Sequence, residues 1–251
     1  MNESIAITLD VDWAPDWCIQ RVADILISAN IKATWFITHD SPAIQMLKQN
    51  PDLFELGIHP NFNDGSTQGK NTQEIMDYLI SIVPEAQSLR THGLFYSFRL
   101  IEYLNSRYHI KYDSSLLLWN SAHISPHKLY TSKNSFVIRM PIFWEDDVEM
   151  GAPQPNFSFE SSRYHLPGLK IFNFHPIHIC LNACSLDNYN ACKAASSNIT
   201  LLKKEMIEPF IYPGLGTQTL FREVIEYLRA DDRVGVTISE IGDAFCSNCP
   251  Y

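Results

Sequence analysis

The sequence predicts an α/β fold built around a parallel sheet. Short apolar runs alternate with helix-type patterns in units of about 25 to 30 residues, a spacing typical of βαβ crossovers. The chain has 251 residues, of which 45% are hydrophobic, so it can bury a large core. No linker, repeat or low-complexity tract divides the sequence. We therefore expect one domain over residues 1–251.

Apolar, β-branched runs predict the strands, and several of these runs end abruptly in polar residues. The run at residues 4–9 (SIAITL) stops at Asp10, and the run at residues 54–58 stops at His59. The other predicted strands are residues 32–38, which end before His39, and residues 89–91, 110–112, 136–140, 169–174 and 234–238.

Apolar side chains at helical spacing predict the helices between these strands. Cys18, Val22 and Leu26 share one face of residues 16–29, which we expect to be the first helix. The other predicted helices are residues 42–49 with Ser41 as a cap, 72–83, 96–107, 217–230 with Thr217 as N-cap, and a short final helix capped by Ser239. Residues 119–167 show little periodicity, and such a long irregular stretch is often functional.

Charge and composition exclude several classes of partner. The net charge is −9 and the pI is about 5.4, with no Lys/Arg cluster, so we expect no nucleic-acid partner. The N-terminus lacks a signal-peptide pattern and no apolar run is long enough for a membrane span, so we expect a cytoplasmic protein. The six cysteines are then expected to be thiols, and the C-terminal pair Cys246 and Cys249 lacks a second pair for structural zinc.

The polar residues after the strands are the candidate chemical groups. Asp10 and Asp12 are two residues apart at a strand end, where two like charges repel unless a cation or a proton lies between them. Capping the turn before the first helix is the alternative role for this pair. In folds with parallel strands, the loops after the strand ends form the active site. We therefore expect Asp10, Asp12, His39 and His59 to lie near one another.

The order of these motifs resembles the polysaccharide deacetylases of carbohydrate esterase family 4. TLDVDW resembles the first motif of that family, ELGIHPNFN its metal-binding motif, SLRTHG its third motif and FNFHPIH its last, while KYDSS resembles a further common element. The resemblance covers about residues 5–178 and implies a distorted (β/α) barrel with about seven parallel strands. The segments HPNF, WEDD and HPIH suggest a divergent branch of the family that acts in O-antigen or surface-polysaccharide synthesis.

The resemblance also implies a role for each matching residue. Asp10 would be the catalytic base, and Asp12 and His59 would bind one divalent metal ion, for which zinc is the expected element. Arg90 would orient the base, and His175 would be the general acid.

The third metal ligand departs from the family pattern. The second histidine of the metal motif is replaced by Asn63, a neutral oxygen donor that binds zinc less well than imidazole does. Asn63 keeps the expected spacing and is the ligand that we favour here. His92, two residues after Arg90, keeps the imidazole chemistry and is the alternative ligand or a substrate contact.

Further residues are candidate substrate contacts. Glu145 and Asp147 of FWEDD can bind sugar hydroxyls with Trp144 as a stacking surface, although a solvated acidic loop is the alternative interpretation. His178 can orient His175 or contact the substrate, and an exposed loop histidine is the alternative.

The predicted function is a metal-dependent hydrolase that removes an N-acetyl or other N-acyl group from an amino sugar of a polysaccharide precursor. Hydrolysis of an amide needs an activated water, a polarised carbonyl and a proton for the departing nitrogen. A metal-free amidohydrolase on the same fold and a catalytically silent carbohydrate-binding relative are the alternatives. The presence of both Asp10 and His175, a base and an acid, argues against the catalytically silent relative. The sequence does not indicate an oligomeric state.

Overall fold

The computed structural model describes residues 4–132, 135–196 and 198–248, and one nine-stranded sheet forms the centre of this part of the chain. The strands are β1 (Ile5–Asp10), β2 (Ala33–Ile37), β3 (Phe54–Ile58), β4 (Ser88–Leu89), β5 (Tyr112–Asp113), β6 (His127–Tyr130), β7 (Phe136–Arg139), β8 (Trp144–Glu145) and β9 (Lys170–Phe174). Their order is β6-β7-β5-β4-β3-β2-β1-β9-β8, and every neighbouring pair is parallel except β6 and β7.

One chain segment links the two sides of this sheet. β7 pairs with β5, whereas β8, only a few residues further on, pairs with β9. Between them the Ile142 amide donates to the Leu116 carbonyl at 2.7 Å, and the Phe143 amide donates to the Ile171 carbonyl at 2.9 Å. The sheet therefore curls into a distorted barrel, which confirms the predicted fold class.

The strand count is nine instead of about seven for two reasons. β7 and β8 are two short parts of one run, and β6 is an additional antiparallel strand within the stretch that the sequence left without periodicity. β6 has no buried side chain, because its sequence HKLY lies at the edge of the sheet. An edge strand of this kind lacks the apolar alternation that makes a strand recognisable.

Ten helices lie within the described residues. They are α1 (Asp16–Ala29), α2 (Pro42–Leu47), α3 (Thr72–Ile82), α4 (Phe98–Tyr108), α5 (Asp146–Gly151), α6 (Pro176–Leu181), α7 (Leu186–Lys193), α8 (Lys204–Ile207), α9 (Thr217–Ala230) and α10 (Ile238–Asn248). α1 follows the predicted bounds and buries Cys18, Val22 and Leu26. α6 packs against both α1 and α9 on the outside of the barrel. No helix within the described ranges is both long and apolar enough to cross a membrane.

The central strand β1 carries the first candidate residue to the mouth of the barrel. All six of its residues, IAITLD, are buried, as is typical of a parallel strand covered on both faces. β1 pairs with β2 and β9, and Thr8 lies beside Asn173 in the register. Asp10 therefore ends β1 close to the end of β9, where His175 follows.

The predicted strand at residues 234–238 is wrong. Val234 and Val236 make single backbone hydrogen bonds with Lys32 and Ile5, at 2.7 and 3.3 Å, and form no strand. Gly235 between them has a φ of 76°, a left-handed conformation that interrupts an extended chain. The segment instead lies beside the amino-terminal ends of β1 and β2, opposite to Asp10.

Two predicted helix caps are also wrong, and one is confirmed. Gly216 occupies the N-cap position of α9, and Thr217 is the first helical residue, with its hydroxyl donating to the Ala183 carbonyl at 2.8 Å. α10 begins at Ile238, and Thr237 forms a reciprocal pair of hydrogen bonds with Glu240 at 3.0 and 3.3 Å instead of a cap by Ser239. Ser41 caps α2 as predicted. Of the C-terminal cysteine pair, Cys249 lies outside the described residues.

Candidate functional site

Residues that follow four different strands converge at the mouth of the barrel. Asp10 ends β1, His59 follows β3, Arg90 follows β4 and His175 follows β9. All four side chains are buried, with residue exposures of 2%, 2%, 0% and 4%. Parallel strands bring their carboxyl ends to one edge of a barrel, so this convergence is a direct consequence of the fold.

Asp12, His59 and His92 form a tight triangle of possible metal ligands. Oδ1 of Asp12 lies 3.1 Å from Nε2 of His59 and 3.1 Å from Nδ1 of His92, and the two nitrogens are 3.4 Å apart. Tetrahedral zinc with bonds of about 2.0 Å separates its ligands by about 3.3 Å. The three atoms therefore fit one face of such a site, and the donor set of two imidazoles and a carboxylate suits zinc.

Backbone strain places Asp12 in this position. Asp12 and Trp13 have φ angles of 43° and 54°, in the left-handed region that non-glycine residues rarely adopt. Consecutive residues in this conformation turn the chain sharply after β1, and such strain is concentrated at functional sites. The edge of the Trp13 ring lies against His92, with 5.5 Å between the ring centres.

The charges around Asp12 shift two pKa values in opposite directions. Burial alone raises the pKa of Asp12, but hydrogen bonds with His175, His59 and His92 outweigh burial and hold the pKa well below its usual range. The hydrogen bond with Asp12 in turn raises the pKa of His92, against the opposing effect of burial. The triangle thus holds an ionised carboxylate, which is the form that binds cations.

Asn63 lies apart from this triangle. It is exposed in the loop after β3, and its backbone amide donates to the side chain of Asn61 at 3.0 Å. Within the described residues no hydrogen bond joins the side chain of Asn63 to Asp12 or His59. Its role as a metal ligand stays a prediction, while His92 is the residue that the fold brings to Asp12.

Arg90 and Asn173 hold the carboxylate of Asp10 from two sides. Nη1 of Arg90 donates to Oδ1 of Asp10 at 2.9 Å, and Nδ2 of Asn173 donates to Oδ2 at 2.9 Å. Ser114 holds Arg90 in turn. Nε of Arg90 donates to the backbone carbonyl of Ser114, and Nη2 donates to its hydroxyl. The guanidinium also stacks over the ring of Phe36 at 4.4 Å.

His175 is held on the opposite side by Asp146. Nδ1 of His175 donates to Oδ1 of Asp146 at 2.6 Å, and the backbone amide of His175 donates to Oδ2 at 2.8 Å. Nε2 points towards Asp12, whose Oδ2 is 3.5 Å away. Burial by itself lowers the pKa of His175, but the charges of Asp146 and Asp147 and the contact with Asp12 raise it well above the usual value.

The WEDD segment supplies Glu145 as well as Asp146. Glu145 is 8% exposed and accepts from Nδ2 of Asn173 at 3.3 Å. Burial and the charge of Asp10 raise the pKa of Glu145 to about 7. One oxygen each of Asp10 and Glu145 and one nitrogen of His175 lie within 4.8 Å of one another.

The interpretation of Trp144 as a sugar-stacking surface is wrong. Its ring is fully buried, and its Nε1 donates to Oε2 of Glu149 at 2.9 Å. Successive side chains of a strand point to opposite faces, so Trp144 and Glu145 of β8 point in opposite directions. Trp144 therefore packs in the core against Phe172 and Phe174.

His178 and Asp147 lie next to His175. Nδ1 of His178 is 3.2 Å from Oδ2 of Asp146 and 3.6 Å from Oδ1 of Asp147. Asp147 has a half-exposed side chain at the mouth, while His178 is buried, so the exposed-loop interpretation of His178 is wrong. Nδ1 of His39 pairs with the hydroxyl of Thr38 at 2.9 Å, and among the described residues no hydrogen bond or ion pair joins His39 to Asp10, Asp12 or His59.

Sequence reasoning missed Asn173 and the positioning contact of Asp146. Asn173 is two residues before His175, and the period of two along β9 gave a signal that both face the same side of the barrel. Asp146 lies within the quoted WEDD motif, but nothing in the sequence indicated its contact with His175.

A family model described as WbmS-like polysaccharide deacetylase matches residues 7–193. The chain is 28% identical to WbmS of Bordetella bronchiseptica, described as a candidate polysaccharide deacetylase involved in O-antigen biosynthesis, with a TM-score of 0.75 over 89% of this chain and 90% of that one.

Two more distant structures also align with the chain. A family 4 acetyl xylan esterase from Clostridium thermocellum is 13% identical, with a TM-score of 0.48 over 95% of this chain and 90% of that one. A peptidoglycan N-acetylglucosamine deacetylase from Eubacterium rectale is 14% identical, with a TM-score of 0.47 over 95% and 88%. No curated protein sequence matches this chain.

Proposed function

Because this chain belongs to the WbmS-like polysaccharide deacetylase family, we propose that it is a metal-dependent hydrolase that removes an N-acetyl or other N-acyl group from an amino sugar. Membership of this family confirms the resemblance of the motifs and makes the chain a deacetylase. The position of Asp12 is the observation that supports metal-dependent removal of an N-acyl group. One of its oxygens contacts His59 and His92, and the other lies 3.5 Å from His175.

The proposed metal ligands are Asp12, His59 and His92. Their mutual distances of 3.1 to 3.4 Å suit a tetrahedral cation, and zinc is the proposed element. A divalent cation held there would supply the Lewis acidity that polarises an amide carbonyl and acidifies a water molecule. Nδ1 of His59 has no hydrogen-bond partner among the described residues, so burial and the contact with the ring of His92, with 5.4 Å between the ring centres, hold this imidazole.

The proposed base and acid lie close together, with one oxygen of Asp10 within 4.8 Å of one nitrogen of His175. Asp10 accepts the proton of the attacking water, and Arg90 and Asn173 keep its two oxygens in place. His175 donates the proton on Nε2 to the departing nitrogen, while Asp146 holds the ring through Nδ1. The charge of Asp146 favours the protonated imidazole that this step requires.

The substrate is proposed to be an N-acylated amino sugar of a polysaccharide precursor, as part of O-antigen synthesis. This proposal is supported by the 28% identity to WbmS, which is described as involved in O-antigen biosynthesis. Glu145, Asp147 and His178 lie at the mouth around His175 and are the proposed contacts for sugar hydroxyls. We further propose that the protein acts in the cytoplasm and that residues 1–251 form one catalytic domain.

Metal content and acetate release test the proposed function. The protein is purified without chelator and dialysed against metal-free buffer, and bound metal is counted by mass spectrometry for the wild type, Asp12→Ala, His92→Ala and Asn63→Ala. We expect about one equivalent in the wild type and in Asn63→Ala, and loss of metal and activity in the other two variants. His127→Ala, at an exposed histidine on β6, is the matched control.

Each contrary result selects another interpretation. Loss of metal in Asn63→Ala with retention in His92→Ala would make Asn63 the third ligand. Acetate release by a wild-type protein that stays empty after incubation with zinc would support a metal-free amidohydrolase. Sugar binding without acetate release would leave a silent binding protein.

A further inference from the structure

Four aromatic side chains lie along one side of the mouth of the barrel. Trp13 follows β1, Phe62 follows β3, and Phe95 and Tyr96 follow β4. We call these four residues the aromatic rim. The sheet order β4-β3-β2-β1 places the corresponding strand ends side by side. β1 and β4 are three strand positions apart, about 14 Å, so the rim extends over more than the length of one sugar ring.

The aromatic rim is continuous with the proposed metal site. The edge of the Trp13 ring lies against His92, with 5.5 Å between the ring centres. The backbone amide of His92 donates to the Pro60 carbonyl at 2.9 Å, which joins the two loops that carry Phe95 and Phe62. The rings of Phe62 and Phe95 contact each other, with 6.4 Å between their centres. A substrate bound at the metal site can therefore extend directly onto these rings.

Backbone strain holds Phe95 in solvent. Gly93 and Leu94 have φ angles of 65° and 53°, and the left-handed region is rare for a residue such as leucine. Thr91 supports this turn, because its carbonyl accepts from the Leu94 amide at 3.0 Å and its hydroxyl donates to the Phe95 carbonyl at 2.7 Å. Phe95 is nevertheless 50% exposed. Folding gains little from a strained turn that exposes an apolar ring, so the arrangement indicates a binding surface.

The ring of Tyr96 has a fixed orientation. The guanidinium of Arg139 lies over this ring, 4.1 Å from its centre. Arg139 is itself held by Asp113, which accepts from its Nε at 2.7 Å, and both of these side chains are buried. Tyr96 is 40% exposed, so a substantial part of the fixed ring faces solvent. A ring that is already ordered loses little conformational entropy when a ligand binds to it.

We propose that the aromatic rim is a saccharide subsite that binds a second sugar ring of the substrate, which is then a glycan of at least two sugars. A sugar ring combines an apolar C–H face with a polar edge of hydroxyl groups. The flat rings of Phe62 and Phe95 suit the apolar face. The hydroxyl of Tyr96 and the amide side chains of Asn61 and Asn63, which flank Phe62 in the sequence, suit the polar edge.

Other occupants fit the aromatic rim less well. The net charge of −9 disfavours an anionic membrane surface, because like charges repel. A stable protein interface needs about 20–30 residues on each side, far more than the rim provides. The predicted effect on acetate release rests on the proposed function, whereas the binding of a second sugar does not.

The test compares N-acetylglucosamine with its β-1,4-linked trimer. Acetate release gives kcat/KM for both sugars with the protein purified without chelator. Calorimetry on the His175→Gln background, which lacks the proposed acid, measures binding without turnover. In the wild type we expect the trimer to exceed the monosaccharide about 5- to 10-fold in kcat/KM, with a similar ratio of affinities on the His175→Gln background. Phe95→Ala should remove most of this preference and leave the values for the monosaccharide unchanged.

Further variants show whether the flat ring is what matters. Phe95→Tyr keeps the ring and should keep the preference, whereas Phe95→Leu keeps an apolar side chain and should lose it. Phe62→Ala should also weaken the preference. Tyr130→Ala is the matched control, because Tyr130 is exposed and its ring contacts that of Phe136, with 5.9 Å between the centres. That pair lies at the amino-terminal end of β7, away from the mouth, so the control should keep the preference.

Three results would overturn the proposal. One is a wild type that prefers the monosaccharide or treats both sugars alike, and another is a preference that Phe95→Ala and Phe62→Ala both retain. The third is binding to vesicles of phosphatidylglycerol, or a concentration-dependent dimer, that Phe95→Ala abolishes and Phe95→Leu retains. If the trimer is bound more tightly through Phe95 but no acetate is released, the saccharide subsite stands and the proposed function fails. Acetate release without a preference for the trimer gives the reverse outcome.

Discussion

Asn173 and Asp10 share a buried hydrogen bond that connects the ends of two adjacent strands. Nδ2 of Asn173 donates to Oδ2 of Asp10 at 2.9 Å, and Oδ1 of Asn173 accepts from Arg90 and from the hydroxyl of Thr8. Since Arg90 also donates to Oδ1 of Asp10, both carboxylate oxygens have a partner. The proposed base is therefore oriented by residues that follow β4 and lie within β9.

Substitution of Asn173 by Ala should impair both activity and stability. Asp10 and Thr8 lose a buried partner, which should lower the free energy of unfolding by about 1–3 kcal/mol. We expect kcat to fall by up to about 100-fold, the lower end of what a general base contributes. Urea unfolding and acetate release measure the two effects. Asn105→Ala, which removes a hydrogen bond to the Ile110 carbonyl, is the control for lost stability alone. Equal activity of the two variants would contradict the positioning role of Asn173.

Arg90→Met should be the most damaging single substitution at the base. It removes the buried cation beside Asp10, and loss of one partner of a buried ion pair typically costs about 3–5 kcal/mol. Arg90→Lys keeps the charge but cannot replace the planar set of donors to Asp10 and Ser114, so we expect an intermediate stability and activity. The free energy of unfolding and kcat are measured for both variants. The exposed Arg229→Met should change stability by less than about 0.5 kcal/mol. An Arg90→Met protein with wild-type activity would refute the contact as a catalytic requirement.

The strand-end residues could be predicted because a parallel sheet leaves little freedom at its carboxyl edge. The runs before Asp10 and His59 are almost wholly apolar, so their ends are visible in the sequence, and the fold then brings those ends together. Asn173 carried a weaker signal, since only its period-two relation to His175 points to the barrel interior. The prediction for Trp144 was wrong because an aromatic residue beside acidic residues is typical of a sugar-binding site. Its position in β8 instead buries the side chain.

The third metal ligand could not be identified from the spacing of residues in the sequence. The four-residue interval between His59 and Asn63 is informative only where the chain is regular, and residues 60–67 form an irregular loop in which Asn63 is exposed. The position of His92 depends on a contact between distant segments, because its backbone amide donates to the Pro60 carbonyl at 2.9 Å. This hydrogen bond joins the loops after β4 and β3, and no local pattern predicts it.

Asp146→Asn should shift the pH dependence of the reaction. The charge of Asp146 opposes the effect of burial and raises the pKa of His175, so its removal should lower that pKa. Because His175 must be protonated to donate, the alkaline limb of the kcat profile should move to lower pH. Activity at neutral pH should fall by up to the factor of about 10²–10⁴ that a general acid contributes.

The pH profile of Asp146→Asn is measured from pH 5 to 10 beside that of Asp147→Asn. Asp147 is half-exposed, and its Oδ2 is 3.9 Å from Nε2 of His175, so its loss should shift the limb less than the loss of Asp146 does. An alkaline limb that stays in place in Asp146→Asn would show that another group limits the reaction at high pH.

Glu145→Gln should stabilise the metal-free protein above pH 7. Burial and the charge of Asp10 raise the folded-state pKa of Glu145 from 4.5 to about 7. The other charged groups that affect it are His175, Arg90 and Asp147. A group whose pKa is raised on folding contributes stability below its unfolded pKa and loses that contribution as the pH rises through the folded pKa. The wild type should therefore lose about 3 kcal/mol relative to Glu145→Gln between pH 4.5 and 7, at 1.36 kcal/mol for each pKa unit.

Urea unfolding in the presence of a chelator, at intervals from pH 4.5 to 8, measures this difference. The chelator is needed because a cation bound by Asp12 would add a positive charge to the same site and change the titration of Glu145. The difference between the two proteins should grow up to about pH 7 and then stay constant, since Glu145 is ionised in both the folded and the unfolded states above that pH. Glu160→Gln removes an exposed carboxylate and is the matched control. A difference that is the same at pH 5 and pH 7.5 would mean that burial and Asp10 do not raise the pKa of Glu145, and that both carboxylates are ionised side by side at the mouth of the barrel.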